Sequence, residues 1–300
     1  SILYPDGKVS PVQEMQMATV PDANVHTYAV DGTFDDCQDI VKALFADVEF
    51  KKAHKLGAVN SINWARIMAQ IVYYFYAYLQ ADTTDKVTFV VPTGNFGNIF
   101  AGWCAKEMGL PVEKLVIATN ENDILHRFVS NGDYSLAGVV PTYSPSMDIQ
   151  ISSNLERYLY YLYGGVDGLK SAMAELKTER KITFSDGEVQ QVRLIFGSYG
   201  VSNAATENAI KRLYEADKYV MDPHTACGVE AAYQMGLDPA MAILLSTAHP
   251  AKFPDVINKV RGFYPEKPEG IKKLEELPLK RTQAKASVDG FKQIICDSYL

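Results

Sequence analysis

Residues 86–109, KVTFVVPTGNFGNIFAGWCAKEMG, constrain this chain more than any other stretch. Val87, Phe89, Val90 and Val91 make a β-branched and aromatic apolar run that stops at Pro92. Parallel strands covered on both faces read as continuous apolar runs rather than alternating ones, so a buried strand is expected here. Thr93, Gly94, Asn95, Phe96, Gly97 and Asn98 then form a loop, and the small and apolar residues of 99–108 read as a helix stopped at Gly109. Strand, glycine loop and helix in that order present backbone N–H groups at the positive end of a helix dipole. The glycines let an anion approach the main chain with no Cβ in the way. The chemistry this suits is phosphate binding. For a lone GxxG the alternative is an ordinary βα turn whose glycines serve conformation only.

The rest of the chain limits what such a loop can serve. Three hundred residues, 47% hydrophobic and 22% charged, suffice for one large domain or two unequal ones. A formal net charge of −7 opposes a nucleic-acid partner, which calls for a basic face. The longest apolar candidate, 62–79, is interrupted by Asn63, Arg66 and Gln70, so no membrane partner is expected. Cys37, Cys104, Cys227 and Cys296 are scattered, without CxxC or short spacing to a histidine. Free thiols in a reducing cytoplasm are expected, with no metal site.

In chain order, Ser1–Pro5 reads as the tail of a strand, and Ser10-Pro11 as the start of a short helix. Residues 24–30 alternate as a strand, and 34–50 carry apolar residues at helical spacing. These are the βα units of a small sheet, which the reading treats as incomplete. A long helix follows to about Gln80, with Tyr73, Tyr74, Phe75, Tyr76 and Tyr78 around much of its circumference, and is expected to be buried on more than one side. Further strands are read at 115–119, 192–196 and 241–245, and residues 164–188 as a charged surface insertion. The charged run 267–285 reads as a solvated face. Asp222-Pro223-His224-Thr225 opens another helix; His224 beside Asp222 is read as part of that cap rather than as a metal ligand. Strands alternating with helices predict a doubly wound, mostly parallel α/β sheet, with a smaller α/β domain at 1–58 and a large domain at 59–300. In such sheets ligands sit at the carboxyl ends of the strands, which puts the Gly94, Asn120, Asp222 and Ser246 loops on one rim.

The segment VPTGNFGNIFAGWCAKEMGLPVEKLVIATNENDILHRF, the later DPHTA and above all LLSTAHPAKF resemble threonine synthase, a pyridoxal-phosphate enzyme, most closely in its fungal and enterobacterial branch. ILYPDGKVSPVQEMQM and GAVNSINWARIMAQIVYYFYAY resemble it as well, so the likeness runs through nearly the whole chain and is weakest at 164–192. The resemblance implies the fold type II, tryptophan-synthase-β-like architecture and pyridoxal 5′-phosphate as cofactor. It implies that O-phospho-L-homoserine and water become L-threonine and phosphate, with the cofactor as electron sink. Carried onto this sequence, it points to Gly94, Asn95, Phe96, Gly97 and Asn98 around the cofactor phosphate and to Thr247 as hydroxyl partner of the pyridine nitrogen. Many relatives have aspartate at the position of Asn98. Asn60, Asn63 and His249 are further candidates for the substrate or the cofactor's surroundings, with helix capping or loop shaping as the alternative.

The family's Schiff-base lysine lies in a segment around an FKD-type sequence, which is not found here; Phe291-Lys292 is followed by glutamine. The lysine is therefore expected upstream of residue 1, with no catalytic residue identified within the chain. The chain is read as the C-terminal half to two thirds of such an enzyme, inactive alone and poorly soluble through exposed apolar surface. A monomer or weak dimer is expected. The alternatives are a serine or threonine dehydratase of the same cofactor fold, or a noncatalytic relative that binds a phosphorylated small molecule or a protein partner.

Overall fold

The computed structural model of the protein describes residues 1–298. Its strands are β1 (Ile2–Pro5), β2 (Thr27–Asp31), β3 (Val87–Pro92), β4 (Val112–Thr119), β5 (Asp133–Ser135), β6 (Lys181–Thr183), β7 (Phe196–Gly200), β8 (Ala242–Leu244) and β9 (Thr282–Lys285). The chain divides into two compact units, one of residues 59–250 with 255–263 and one of residues 1–58, 251–254 and 264 onward.

The larger unit is built on a four-stranded sheet in the order β7-β4-β3-β8. All its pairings are parallel, with Val91 opposite Ile117, Val90 opposite Leu244 and Ile117 opposite Ser198. Phe89, Val90, Val91, Leu115, Val116 and Ile117 are fully buried, because helices cover both faces of the central strands. Among the described residues no helix is long and apolar enough to cross a membrane.

The helix Trp64–Gln80 packs on the helix Gly97–Glu107, and the contact is close because position 102 is glycine. A Cβ there would lie 2.5 Å from the ring of Tyr74. Contrary to expectation, the aromatic-rich helix buries one face only, through Ile67, Tyr74 and Tyr78. Trp64, Met68, Val72, Tyr73, Tyr76 and Leu79 stand between 48% and 72% exposed. Aromatic content indicated burial, whereas the helical phase of these residues sets half of them outward. So large an apolar face is an association hazard. Replacing Val72 and Tyr76 together with glutamate is expected to reduce concentration-dependent association in sedimentation runs. Stability should shift by no more than about 1 kcal/mol for the pair, as is usual for surface changes. Unchanged association would assign the hazard elsewhere.

Two other segments depart from the sequence reading. Residues 192–196 are not a strand: Ser185 and Glu188 form a capping box that starts the helix Asp186–Ile195, and the strand begins only at Phe196. Residues 164–188, read as a charged surface insertion, contribute to the core. They hold the helix Val166–Glu179 and β6, whose Ile182 joins the main core and which pairs antiparallel with β5.

The smaller unit has a three-stranded parallel sheet, β1-β2-β9, packed against the helices Phe34–Ala46 and Val288–Ser298. The reading of 59–300 as one domain therefore needs correction. Residues from 264 onward return to the N-terminal unit, where Val30 pairs with Ala284 and Tyr28 meets Phe291 edge-on at 5.5 Å. The 34–50 helix is also two helices, since Asp47 caps a second one, Val48–Ala53.

Candidate functional site

The loops after β3 and β8 leave neighbouring parallel strands at the same end of the sheet. The chain steps outward from β3 to β4 to β7 on one side, then crosses back to lay β8 on the other side of β3. That reversal of direction is where ligand crevices open in doubly wound sheets.

At this point β3 runs into the loop of Thr93, Gly94, Asn95 and Phe96, and the helix Gly97–Glu107 starts with no side-chain cap. None of the backbone N–H groups from Gly94 through Asn98 has a hydrogen-bond partner within the described residues. The loop's carbonyls, in contrast, are held: Ser152 Oγ donates to Gly94 O at 2.7 Å, and Asn154 donates to Asn95 O from its backbone N at 3.1 Å and its Nδ2 at 3.0 Å. Tyr74 Oη donates to Asn98 O at 2.7 Å, and burial raises that phenol well above its ordinary pKa, so it stays a donor. Unpaired donors, fixed acceptors and a helix N-terminus together make a seat for an anion.

Two positions show what this seat requires of the sequence. A Cβ on Gly94 would lie 2.8 Å from Ser146 O and 3.1 Å from Met147 Cα, so the neighbouring turn rests directly on the glycine. Phe96, 1% exposed, sits at φ 61°. A bulky residue in that region costs on the order of 1–3 kcal/mol and persists only where its surroundings enforce it. Here the ring is enclosed by Phe196 at 5.7 Å and Tyr158 at 6.2 Å.

The turn over Gly94 is held by a polar cluster that grows from β4. Asp148 accepts from Asn120 Nδ2 at 2.7 Å, Asn122 Nδ2 at 3.0 Å, Thr142 Oγ1 at 2.6 Å and Thr142 N at 2.9 Å. Asn120 and Asn122, in the ATNEND segment, thus support the turn rather than face the crevice. The nearby thiol of Cys227 is pushed up to about 11 by burial, which makes it a poor nucleophile.

A cavity of about 110 Å³ is lined by the loop residues from Thr93 to Asn98 together with Ser61, Arg66 and Gln70. Its size suits a phosphoryl group; whole small-molecule pockets run to roughly 300–1,000 Å³. Arg66 is exposed and pairs with no carboxylate among the described residues, leaving its guanidinium donors available. These three residues were missed in the sequence. They come from the entry to a helix remote from the loop, and the one local signal was a cation interrupting an apolar run.

The other named residues fall as follows. Thr247 is exposed in the loop after β8, and its backbone N lies 3.4 Å from Thr225 Oγ1. Asn60 accepts from Ile62 N at 3.2 Å in the turn before the long helix, and Asn63 caps that helix by accepting from Ala65 N at 2.9 Å. Neither lines the cavity. His249 is exposed. His224 is buried in the cap of the helix Pro223–Gln234, its Nδ1 3.1 Å from Asp222 Oδ1. No lysine lines the cavity.

Comparison with known proteins places this geometry among others. A sequence profile of pyridoxal-phosphate-dependent enzymes matches residues 1–184, and one described as threonine synthase, C-terminal, matches 225–295. The chain is 51% identical to threonine synthase of Saccharomyces cerevisiae, over 93% of this chain and 60% of that protein. It is 49% identical to threonine synthase of Pseudomonas aeruginosa, over 86% and 56%. Among solved structures, a PLP-bound threonine synthase from Brucella melitensis superposes with a TM-score of 0.91 at 43% identity, covering 99% of this chain and 64% of that one. The yeast threonine synthase structure superposes at 0.87 with 48% identity and the same coverage. The chain spans about 60% of the length of the curated relatives it matches.

Proposed function

This chain belongs to the pyridoxal-phosphate-dependent enzyme family, in its fold type II architecture, and we propose that it forms the cofactor-binding part of a threonine synthase. The protein that carries it converts O-phospho-L-homoserine and water into L-threonine and phosphate. The observation that carries this reading is the run of unpaired N–H groups from Gly94 through Asn98, in residues that line a cavity of phosphoryl size. In the same reading residues 59–250 are the cofactor-binding domain.

Gly94, Asn95, Phe96, Gly97 and Asn98 hold the cofactor phosphate through main-chain N–H groups, whose charge-assisted bonds are roughly twice as strong as neutral ones. Asn98 can add a neutral donor where an aspartate would repel the anion. Thr247 offers its hydroxyl to the ring nitrogen; a hydroxyl donates to an unprotonated nitrogen, whereas a carboxylate would keep it protonated. When bound, the cofactor supplies an electron sink for the substrate's Cα and Cβ positions. Ser61, Arg66 and Gln70, which line the same cavity, supply donors and a positive charge to the cofactor phosphate. The buried phenyl ring of Phe96 and the turn 144–147 restrict water around the loop.

Replacing Arg66 with glutamine is expected to weaken inorganic phosphate binding by about tenfold or more, the scale of one lost charge-assisted hydrogen bond. Calorimetric titration reads this directly, and an unchanged constant would remove Arg66 from the site. The test of the whole reading is to incubate the protein that carries this chain with pyridoxal phosphate and O-phospho-L-homoserine. Equal amounts of threonine and phosphate are expected; phosphate without threonine, or neither product, would refute it.

A further inference from the structure

The cap at Asp222 has a feature that the phosphate loop alone does not require. Asp222 is 1% exposed and accepts from His224 N at 2.8 Å, Thr225 N at 3.3 Å, His224 Nδ1 and the hydroxyl of Thr225. Helix capping accounts for the two backbone bonds. The side chains of His224 and Thr225, once gripped by the carboxylate, point their remaining capacity at two different loops.

His224 Nε2 lies 3.2 Å from the backbone N of Ser146. A backbone N–H is only a donor, so Nε2 is the acceptor and the ring is neutral with its proton on Nδ1, facing Asp222. Ser146 belongs to the turn that rests on Gly94, its carbonyl being what a Cβ on Gly94 would meet at 2.8 Å. Thr225 gives its hydroxyl proton to Asp222. The hydroxyl oxygen is then available as acceptor for Thr247 N at 3.4 Å and lies 3.3 Å from Ser246 Oγ. One fully buried turn thus touches the support of the phosphate loop through one residue and the β8 loop through the next.

We propose that His224 and Thr225 are positioning residues. The Asp222 turn fixes the separation between the Gly94 loop and Thr247, so that a ligand with a phosphate at one end and a pyridine nitrogen at the other engages both together. This rests on the cofactor reading above. It adds that the two loops are coupled through the start of the helix Pro223–Gln234, rather than placed independently by their strands. A positioning role differs from a plain stabilising one in what it discriminates. Inorganic phosphate needs the Gly94 loop and the cavity beside it but not Thr247, whereas pyridoxal phosphate spans both loops.

The experiment compares dissociation constants of inorganic phosphate and of pyridoxal 5′-phosphate, by calorimetry and tyrosine fluorescence, for the full chain and three variants. Thr225→Val, isosteric but without the hydroxyl, is expected to weaken pyridoxal phosphate about five- to tenfold and inorganic phosphate less than twofold. Thr225→Ser keeps the oxygen and is expected to restore the wild-type constant. Gly94→Ala is expected to weaken both ligands. If Thr225→Val weakens the two ligands equally, or weakens neither, while Gly94→Ala weakens both, the coupling is overturned and the cofactor reading stands. If Gly94→Ala changes neither constant, or the wild-type chain binds neither ligand, the cofactor reading fails and the coupling falls with it.

Discussion

Gly94→Ala is expected to lower the affinity for a phosphate-bearing ligand at least tenfold and to destabilise the chain by about 1–3 kcal/mol, the usual cost of forcing extra volume into a packed site. The added Cβ would meet backbone atoms, Ser146 O at 2.8 Å and Met147 Cα at 3.1 Å, which cannot rotate out of the way as a flexible side chain can. Either the loop retreats and its N–H groups lose their common focus, or the turn lifts and strains its bonds to Asp148 and His224. Both routes impair binding. Equilibrium dialysis against phosphate, together with a urea unfolding curve, separates the two effects. Wild-type affinity in a stable variant would mean that the turn is soft and the glycine incidental.

Asp222→Ala is expected to cost about 3–5 kcal/mol, from a lost helix cap at about 1–2 kcal/mol and buried donors left unpaired at about 1–3 kcal/mol each, a large share of the roughly 5–15 kcal/mol available to a folded protein. Truncation strands the backbone N–H groups of His224 and Thr225, the Thr225 hydroxyl and the His224 ring proton in a site where Asp222 is 1% exposed. Asp222→Asn retains one oxygen acceptor for the helix start and should recover about half of the loss, because a capping amide is nearly as good as a carboxylate. The midpoints of chemical unfolding give both values. A loss below about 1 kcal/mol for alanine would show that water reaches the cap and satisfies those donors.

The strand–glycine–helix corner at 87–107 could be read in advance because its determinants are contiguous. A buried parallel strand, two glycines and an uncapped helix start lie within one short stretch, and the structure keeps them in that order. The return of β9 to the first unit could not be read. Thr282–Lys285 is polar and lies at the end of a charged run, and it pairs with β2 through its backbone, which leaves no trace in side-chain pattern. Val192, Leu194 and Phe196 imitate a strand by alternation, yet Leu194 is 75% exposed and the Ser185–Glu188 capping box had already committed the segment to a helix. Arg66 was hidden for a different reason. Its relation to the loop exists only after the helix Trp64–Gln80 packs beside it, and no local spacing encodes that approach.

The most direct test is a crystal structure of the chain grown with pyridoxal 5′-phosphate, with the phosphorus located by its electron density. The account predicts phosphate oxygens within hydrogen-bond distance of the main-chain N–H groups from Gly94 through Asn98 and the pyridine nitrogen against Thr247 Oγ1. A ligand whose phosphate lies away from the loop, or whose ring cannot reach Thr247 while its phosphate is seated there, would contradict it.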